Sequence, residues 1–343
     1  DYSSQGRAVT TKDYEVFVKK LFPTTQAVSV WGGEDGSYDS STGVSSTPEY
    51  GKVFISVKST TGVDLTSAQK TNLETALAPY KVASITPVVV DAETTSIILN
   101  ITIMYDTSAT TYTGDQIASL VATTVGNYSA SDLESFNTPF RHSKLLGLID
   151  ATDSSILNSI TTVTMAKLFT PTISTATDYN LNFNNKFYNP VSGYNATGGG
   201  VIASTGFYLG SVTTTTYFFD DDGSGNLRIY SLVSGVRTYT NSAAGTVDYA
   251  NGLIKISSVT ITGVAEVDGI ASSQIRLTVL PNSNDITPVR NQILEIDTTN
   301  TTYSSNVDAT ASTGVGYSTT TTSAGTTTTS VASVSSTPSS SAY

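Results

Sequence analysis

AVSVWGGED, residues 27–35, and YGKVFISVKS, residues 50–59, decide how the first third of the chain is read. The first leads an alternating run into a Trp-Gly-Gly-acid turn that holds the protein's only tryptophan. In the second, Val53, Ile55 and Val57 alternate with Lys52, Phe54, Ser56 and Lys58, the period-two pattern of a half-buried strand. The pair reads as strand, loop, strand, with a bulky aromatic at the rim. Trp31 then has two readings. It packs over its own sheet, or it anchors an interface, where tryptophan, tyrosine and arginine dominate the binding energy.

Outward from this pair the periodicity alternates between helix and strand. Before it, Tyr14, Phe17, Val18 and Leu21 recur at helical spacing behind a candidate N-cap at Thr11, and Pro23 ends the run. After it, Thr66 and Gln69 have the spacing of a capping box, and Leu73, Ala76, Leu77 and Tyr80 form the stripe of a second helix closed near Pro79. Residues 85–91 and 96–105 read as strands. In the second of these, Ile97, Leu99, Ile101 and Ile103 face one way, and Asn100 and Thr102 the other. A third helix opens at Thr113, with Gln116 three positions on, and presents Ile117, Leu120, Val121 and Val125. The order αββαββα predicts two helices on a four-stranded, ferredoxin-like sheet over residues 8–106.

Beyond this module, the spacing Ser131 to Glu134 predicts another capping box. Thr138-Pro139 predicts a helix with proline in its first position, carrying Phe140, Arg141, Lys144, Leu145 and Ile149. Residues 160–169 read as a strand. From about residue 170 helical periodicity gives way to short strands and frequent turn signals. YFFDDDGSGNLRIYSL (217–232) reads as a hairpin and residues 246–263 as a strand pair, which together predict a β-sandwich or small barrel. A last strand falls near 292–296. From about Thr298 the composition narrows to Thr, Ser, Ala and Gly, a low-complexity tail with no pattern for a packed core. The fold class is therefore α+β. The expected organisation is an α+β module at 1–128, a helical connector with a strand at 129–169, an all-β domain at 170–285, an extension at 286–316 and the tail at 317–343.

Composition removes several function classes. A chain of 343 residues with net charge −11 lacks the clustered Lys and Arg of a nucleic-acid footprint, so no nucleic-acid partner is expected. It has no cysteine, and hence neither disulfides nor a thiolate metal site. No apolar run is long enough for membrane insertion, and no signal peptide is visible. The chain opens at Asp1 rather than Met, as a fragment or a processed product would.

Chemistry-bearing residues are sparse. His142 is the only histidine, so zinc and copper sites are not expected, and its polar setting reads as structural. Asp220, Asp222 and Ser224 match the first ligand positions of a calcium loop and Gly225 its glycine, but Ser231 stands where the bidentate glutamate belongs. The competing reading is a glycine-bearing hairpin turn with a solvated acidic tip, and it is preferred. Gly198-Gly199-Gly200 lacks the lysine of a phosphate loop and reads as a turn. The pairs Glu34/Asp35 and Asp91/Glu93 read as solvated turn acids. No catalytic set, cofactor or metal is expected. The 19 tyrosines suit packing, interfaces or glycan contact alike.

Several segments in order resemble the baseplate J-like family of contractile-tailed phages. The likeness starts at GRAVTTKDYEVFVKKLFP (6–23) and continues through SVWGGED, YGKVFISVK, the strands at 85–105 and GDQIASLVATTV (114–125). FRHSKLLGLIDATDSSILNSITTVTMAK (140–167), FFDDDGSGNLRIY, GTVDYANGLIKI (245–256) and PNSNDITPVRNQIL (281–294) are similar, more narrowly, to its baseplate wedge subunit. The loop at 36–49 is longer and richer in serine than the family pattern, and the likeness is to the carboxy-terminal portion of a wedge subunit. The resemblance implies a structural virion protein, not an enzyme, assembled in the host cytoplasm into the tail baseplate. It implies a homodimer that joins wedges into an inner ring around the hub and rearranges when the sheath contracts, with other wedge subunits, hub and sheath-initiating proteins as partners. Trp31, Phe140, Arg141 and Arg290 are the candidate interface residues, with Arg228 and Arg237 as further arginine anchors. The alternative reading is a host-facing, glycan-binding tail or adhesin β domain.

Overall fold

A computed structural model describes residues 6–39, 43–44, 47–60, 65–197, 200–210, 214–308, 317–323 and 326–332. Gly198 and Gly199 of the expected glycine turn, and residues 324–325 and 333–343 of the expected tail, lie outside these. In chain order the elements are α1 (Thr11–Leu21), β1 (Thr25–Gly32), β2 (Tyr38–Asp39), β3 (Gly43–Val44), β4 (Lys52–Ser59), α2 (Ser67–Leu77), β5 (Thr86–Val90), β6 (Glu93–Tyr105), α3 (Gly114–Tyr128) and α4 (His142–Asp150). There follow β7 (Ile156–Phe169), β8 (Ala176–Asn182), β9 (Ile202–Ser204), β10 (Phe207–Leu209), β11 (Tyr217–Asp221), β12 (Asn226–Val233), β13 (Val236–Asp248), β14 (Leu253–Val264), β15 (Ile275–Val279), β16 (Gln292–Ile296), β17 (Thr302–Val307), β18 (Tyr317–Ser323) and β19 (Thr326–Ala332). The protein is mixed α+β, with strands predominant. Its chain divides between two compact units: one formed by Asp1–Thr95, Leu133–Pro139 and Met165–Leu294, the other by Ser96–Asp132, Phe140–Thr164 and Glu295–Tyr343.

In the first unit, α1 is fixed at its start by a reciprocal pair one residue earlier than the sequence predicts. The N-cap is Thr10, whose hydroxyl accepts from the Asp13 amide, while the Asp13 carboxylate accepts from the Thr10 amide at 2.9 Å. Thr66 and Gln69 cap α2 in the same way. β1 pairs antiparallel with β4, and β4 pairs parallel with β5 through the α2 crossover. Phe17, Val18, Ile55, Val57, Leu73 and Leu77 form the core beneath the two helices. This sheet has the order β1-β4-β5 and stops at three strands, so the four-stranded ferredoxin-like sheet is not formed. The expected fourth strand, β6, pairs elsewhere: from Asn100 to Tyr105 it runs parallel to β17. The choice rests on a partner some two hundred residues away, which no local pattern announces.

The second half of this unit contains a closed barrel. β10, β11, β12, β13 and β14 pair in that order, and β10 returns to β14, with Phe207 opposite Val264 and Leu209 opposite Ile261. Of the two predicted architectures, the small barrel is the one observed. β8 adds to β14 outside the closed set. Phe207 and Phe219 stack with centroids 4.5 Å apart, and with Leu227, Ile229, Ile254 and Ile261 they are almost wholly buried. A separate ladder joins the end of β7 to β15 and β15 to β9, with Phe169 opposite Ile275.

In the second unit α3 lies on β17 and β18. Its N-cap is Thr113 with Gln116, as the spacing predicts. Ile117, Val121 and Val125 are fully buried, but Leu120, expected with them, is 36% exposed. The helix runs on into a π-turn over Ser129–Leu133. This displaces the capping box expected at Ser131 and Glu134: Ser131 Oγ instead donates back to the Asn127 carbonyl at 2.8 Å. Ser129 Oγ, buried inside the turn, accepts from the Ile296 amide at 2.9 Å. α4 begins at His142, so Pro139 precedes the helix instead of opening it. The Thr-rich stretch read as a tail supplies β18 and β19 at 317–323 and 326–332, with β18 antiparallel to β17. β-branched threonine satisfies strand geometry without an apolar pattern, which is why composition hid these strands.

Candidate functional site

The hairpin YFFDDDGSGNLRIY gathers most of the buried charge on the barrel. β11 pairs with β12 so that Asp220 stands opposite Arg228. Successive strand residues point to opposite faces, so the Asp220 and Asp221 carboxylates take different partners, with Arg228 and Asn195 linking the two sets. Asp220 is fully buried and accepts from Arg228 Nε at 3.0 Å, Arg237 Nη1 at 2.7 Å and Tyr239 Oη at 2.9 Å. The guanidinium of Arg228 lies over the Tyr239 ring at 4.3 Å and that of Arg237 over Tyr230 at 4.5 Å. Arg228 also donates to the carbonyls of Asn195 and Ala196. Asp221, equally buried, accepts from Asn195 Nδ2, the Ile202 amide and Tyr249 Oη, the last at 2.6 Å. Asp222 closes the turn, accepting from the amides of Ser224 and Asn226, and Asp221 also accepts from the Gly223 amide.

This arrangement overturns the calcium reading of Asp220, Asp222 and Ser224. The carboxylate that would be the first ligand is committed to two arginines, and Asp220 and Asp222 do not converge. Among the described residues no group of three or more His, Cys, Asp or Glu side chains is placed to hold a metal ion. The preferred reading, a glycine-bearing turn, holds, but its acids are not all solvated, since two of the three aspartates have no exposure. Sequence reasoning missed Asn195, Tyr239 and Tyr249. Only the register of the turn could have shown that Asp220 faces Arg228.

The other candidates lie apart. Trp31 is 5% exposed and stacks on Phe54 at 5.6 Å beside Val90. Phe140 is fully buried, edge-on to Tyr128 at 6.2 Å. Neither ring is presented at the surface, because each fills the core of its own unit; as candidate interface anchors both are corrected. Arg141 is exposed at the N-cap of α4. Arg290 is half-buried before β16, with a positive φ of 53°. His142 meets the Thr161 carbonyl at 3.1 Å, a structural contact. The paired carboxylates are not converging acids: Asp91 pairs with Lys70 at 2.6 Å and Glu93 with the buried Lys167 at 2.7 Å.

Buried phenols give the protein a pH signature. Burial raises the pKa values of Tyr14 and Tyr230, and burial together with the hydrogen bond to Asp221 drives that of Tyr249 far above the ordinary value. Burial alone pushes Tyr303 up to about 12. The folded state thus holds these protons more tightly than the unfolded chain. The corresponding stability is complete below about pH 10 and falls as the pH rises through the folded values. Guanidinium midpoints measured from pH 8 upward are expected to stay level to about pH 10 and then decline steadily.

The comparisons name the class: residues 10–90 match the family described as baseplate structural protein gp6, C-terminal domain I, and residues 93–168 match C-terminal domain III of the same protein. Residues 10–168 are thus similar to two carboxy-terminal domains of a phage baseplate structural protein. Among relatives, baseplate wedge protein gp6 of Enterobacteria phage T4 is 28% identical over 165 residues, which cover 48% of this chain. The matched stretch spans 23% of that relative's length.

Proposed function

We propose that this chain acts by association, pairing with a second copy and, through such pairs, joining neighbouring baseplate wedges into an inner ring around the hub that rearranges when the sheath contracts. The observation that carries this reading is the pair of consecutive gp6 domain matches over residues 10–168. Catalysis has no part in it. Other wedge subunits, hub and sheath-initiating proteins are the partners the reading assigns. Arg141 suits a contact because it is an exposed residue at the start of α4, and wet, hydrogen-bonded interfaces favour arginine. Light scattering on the full chain tests it: a mass twice that of the 35.9 kDa chain is expected. A monomer at every concentration that also binds a glycan array would replace this reading with the host-facing one.

A further inference from the structure

The barrel lies beyond residue 168, outside both family matches. At one of its ends the β12–β13 hairpin runs past its neighbour. Tyr217 at the start of β11 pairs with Ser231, while the hairpin continues through Leu232↔Arg237 to Val233↔Val236. Ser234 and Gly235 close the turn, both with positive φ, as a two-residue hairpin turn requires. The tip is apolar and bare: Leu232 is 54% exposed, Val233 56% and Val236 67%. Its root is rigid, because Arg237 is pinned to Asp220 and stacked on Tyr230.

The same end of the barrel carries a cavity of about 540 Å³, lined by Tyr208, Thr216, Phe218, Ala265, Glu266 and Ser272. Gly206 forms part of its lining: a Cβ there would sit 2.3 Å from Thr216 Cγ2. Beside it, the tight turn Val267–Ile270 presents Ile270 at 72% exposure. Knob and socket thus share one end, yet the knob is not seated in its own socket. That placement is self-complementary: two copies related by a two-fold axis bring each tip to the other's cavity, the defining geometry of an isologous contact. Charge points to the same occupant. From Asn226 to Val247 the hairpin has no carboxylate of its own, and its Arg228 and Arg237 share the single charge of Asp220, which leaves its root net positive in a chain of net charge −11, while the socket offers Glu266. An arm free of acids is the part of this surface that a second acidic copy accepts without like-charge repulsion.

We propose that two copies of this chain exchange β12–β13 tips, each seating Leu232, Val233 and Val236 in the cavity lined by Tyr208, Phe218 and Glu266 of the other. The inference rests on the dimer proposed above and locates its contact. The test is sedimentation of the full chain over a concentration series, with Val236→Glu altering the tip and Ala271→Trp filling the socket, whose lining Ala271 shares, both at exposed positions. The wild type is expected to dimerise and each variant to weaken the dimer by at least roughly tenfold in Kd. Mixing the two variants is expected to restore association, since a mixed pair regains one intact tip and socket that neither variant has alone. A dimeric wild type whose variants dimerise with unchanged Kd would place the contact elsewhere and leave the dimer standing. A mixture that stays dissociated, with both variants folded by circular dichroism, would overturn the tip-to-socket assignment. A wild type that is monomeric throughout would remove the dimer itself.

Discussion

Asp220→Ala is expected to destabilise the protein by about 3–5 kcal/mol, read as a fall in the midpoint of guanidinium unfolding. Removing the carboxylate leaves Arg228, whose side chain is 8% exposed, as a buried cation without its counter-charge. The loss from Arg237 is smaller, since that side chain is 35% exposed and its charge is partly screened by water. The arrangement makes a second, sharper expectation. Replacing Asp220 and Arg228 together by leucine should cost less than the sum of the two single changes, because neither charge is then left buried without the other, while the carbonyls of Asn195 and Ala196 lose their donor in the double variant as they do in the single Arg228 change. An Asp220→Ala protein within about 1 kcal/mol of wild type would show that the network does not hold the barrel.

Trp31→Ala is the other large effect expected, about 3–5 kcal/mol, from a cavity in the core of the first unit and the loss of the stack on Phe54. Trp31→Phe should recover much of this. The indole Nε1 is buried without a hydrogen-bond partner among the described residues, so the substitution breaks no polar contact. Circular dichroism melts of both variants read the difference, since removing the only tryptophan also removes the usual fluorescence signal. Association is expected to survive both substitutions wherever the protein stays folded, because the ring lies inside the chain. A stable Trp31→Ala protein that fails to self-associate would restore the interface reading of the turn.

Local signals were legible because their physics is local. The spacings at Thr66/Gln69 and Thr113/Gln116 are two ends of single hydrogen-bonded rings, and both caps are present. The same spacing at Ser131 misled because α3 does not end there: the chain stays wound through a π-turn whose Ser129 is held by Ile296. Turn residues and short alternating runs pointed to a barrel as one of two outcomes. Closure depends on β10 finding β14, a pairing that strand patterns do not encode. The three aspartates were the hardest residues to read. Composition treats a run of acids before glycine as solvated, whereas their burial depends on arginines and tyrosines supplied by register.

The pairing of Phe169 with Ile275 has one more consequence. The family match stops at residue 168, and the next residue is the one that faces Ile275 across an antiparallel ladder. Residues 170–274, the whole barrel with its tip and cavity, leave and return at neighbouring points, about 5 Å apart in such a pair. The barrel segment is held by more than this neck, because Ile202–Ser204 within it form β9, which pairs with the other edge of β15. A short turn joining Phe169 to Ile275 would keep β7 and β15 in register but strip β9 from the far edge of β15, so the barrel segment and the ladder that carries it are tied together in sequence.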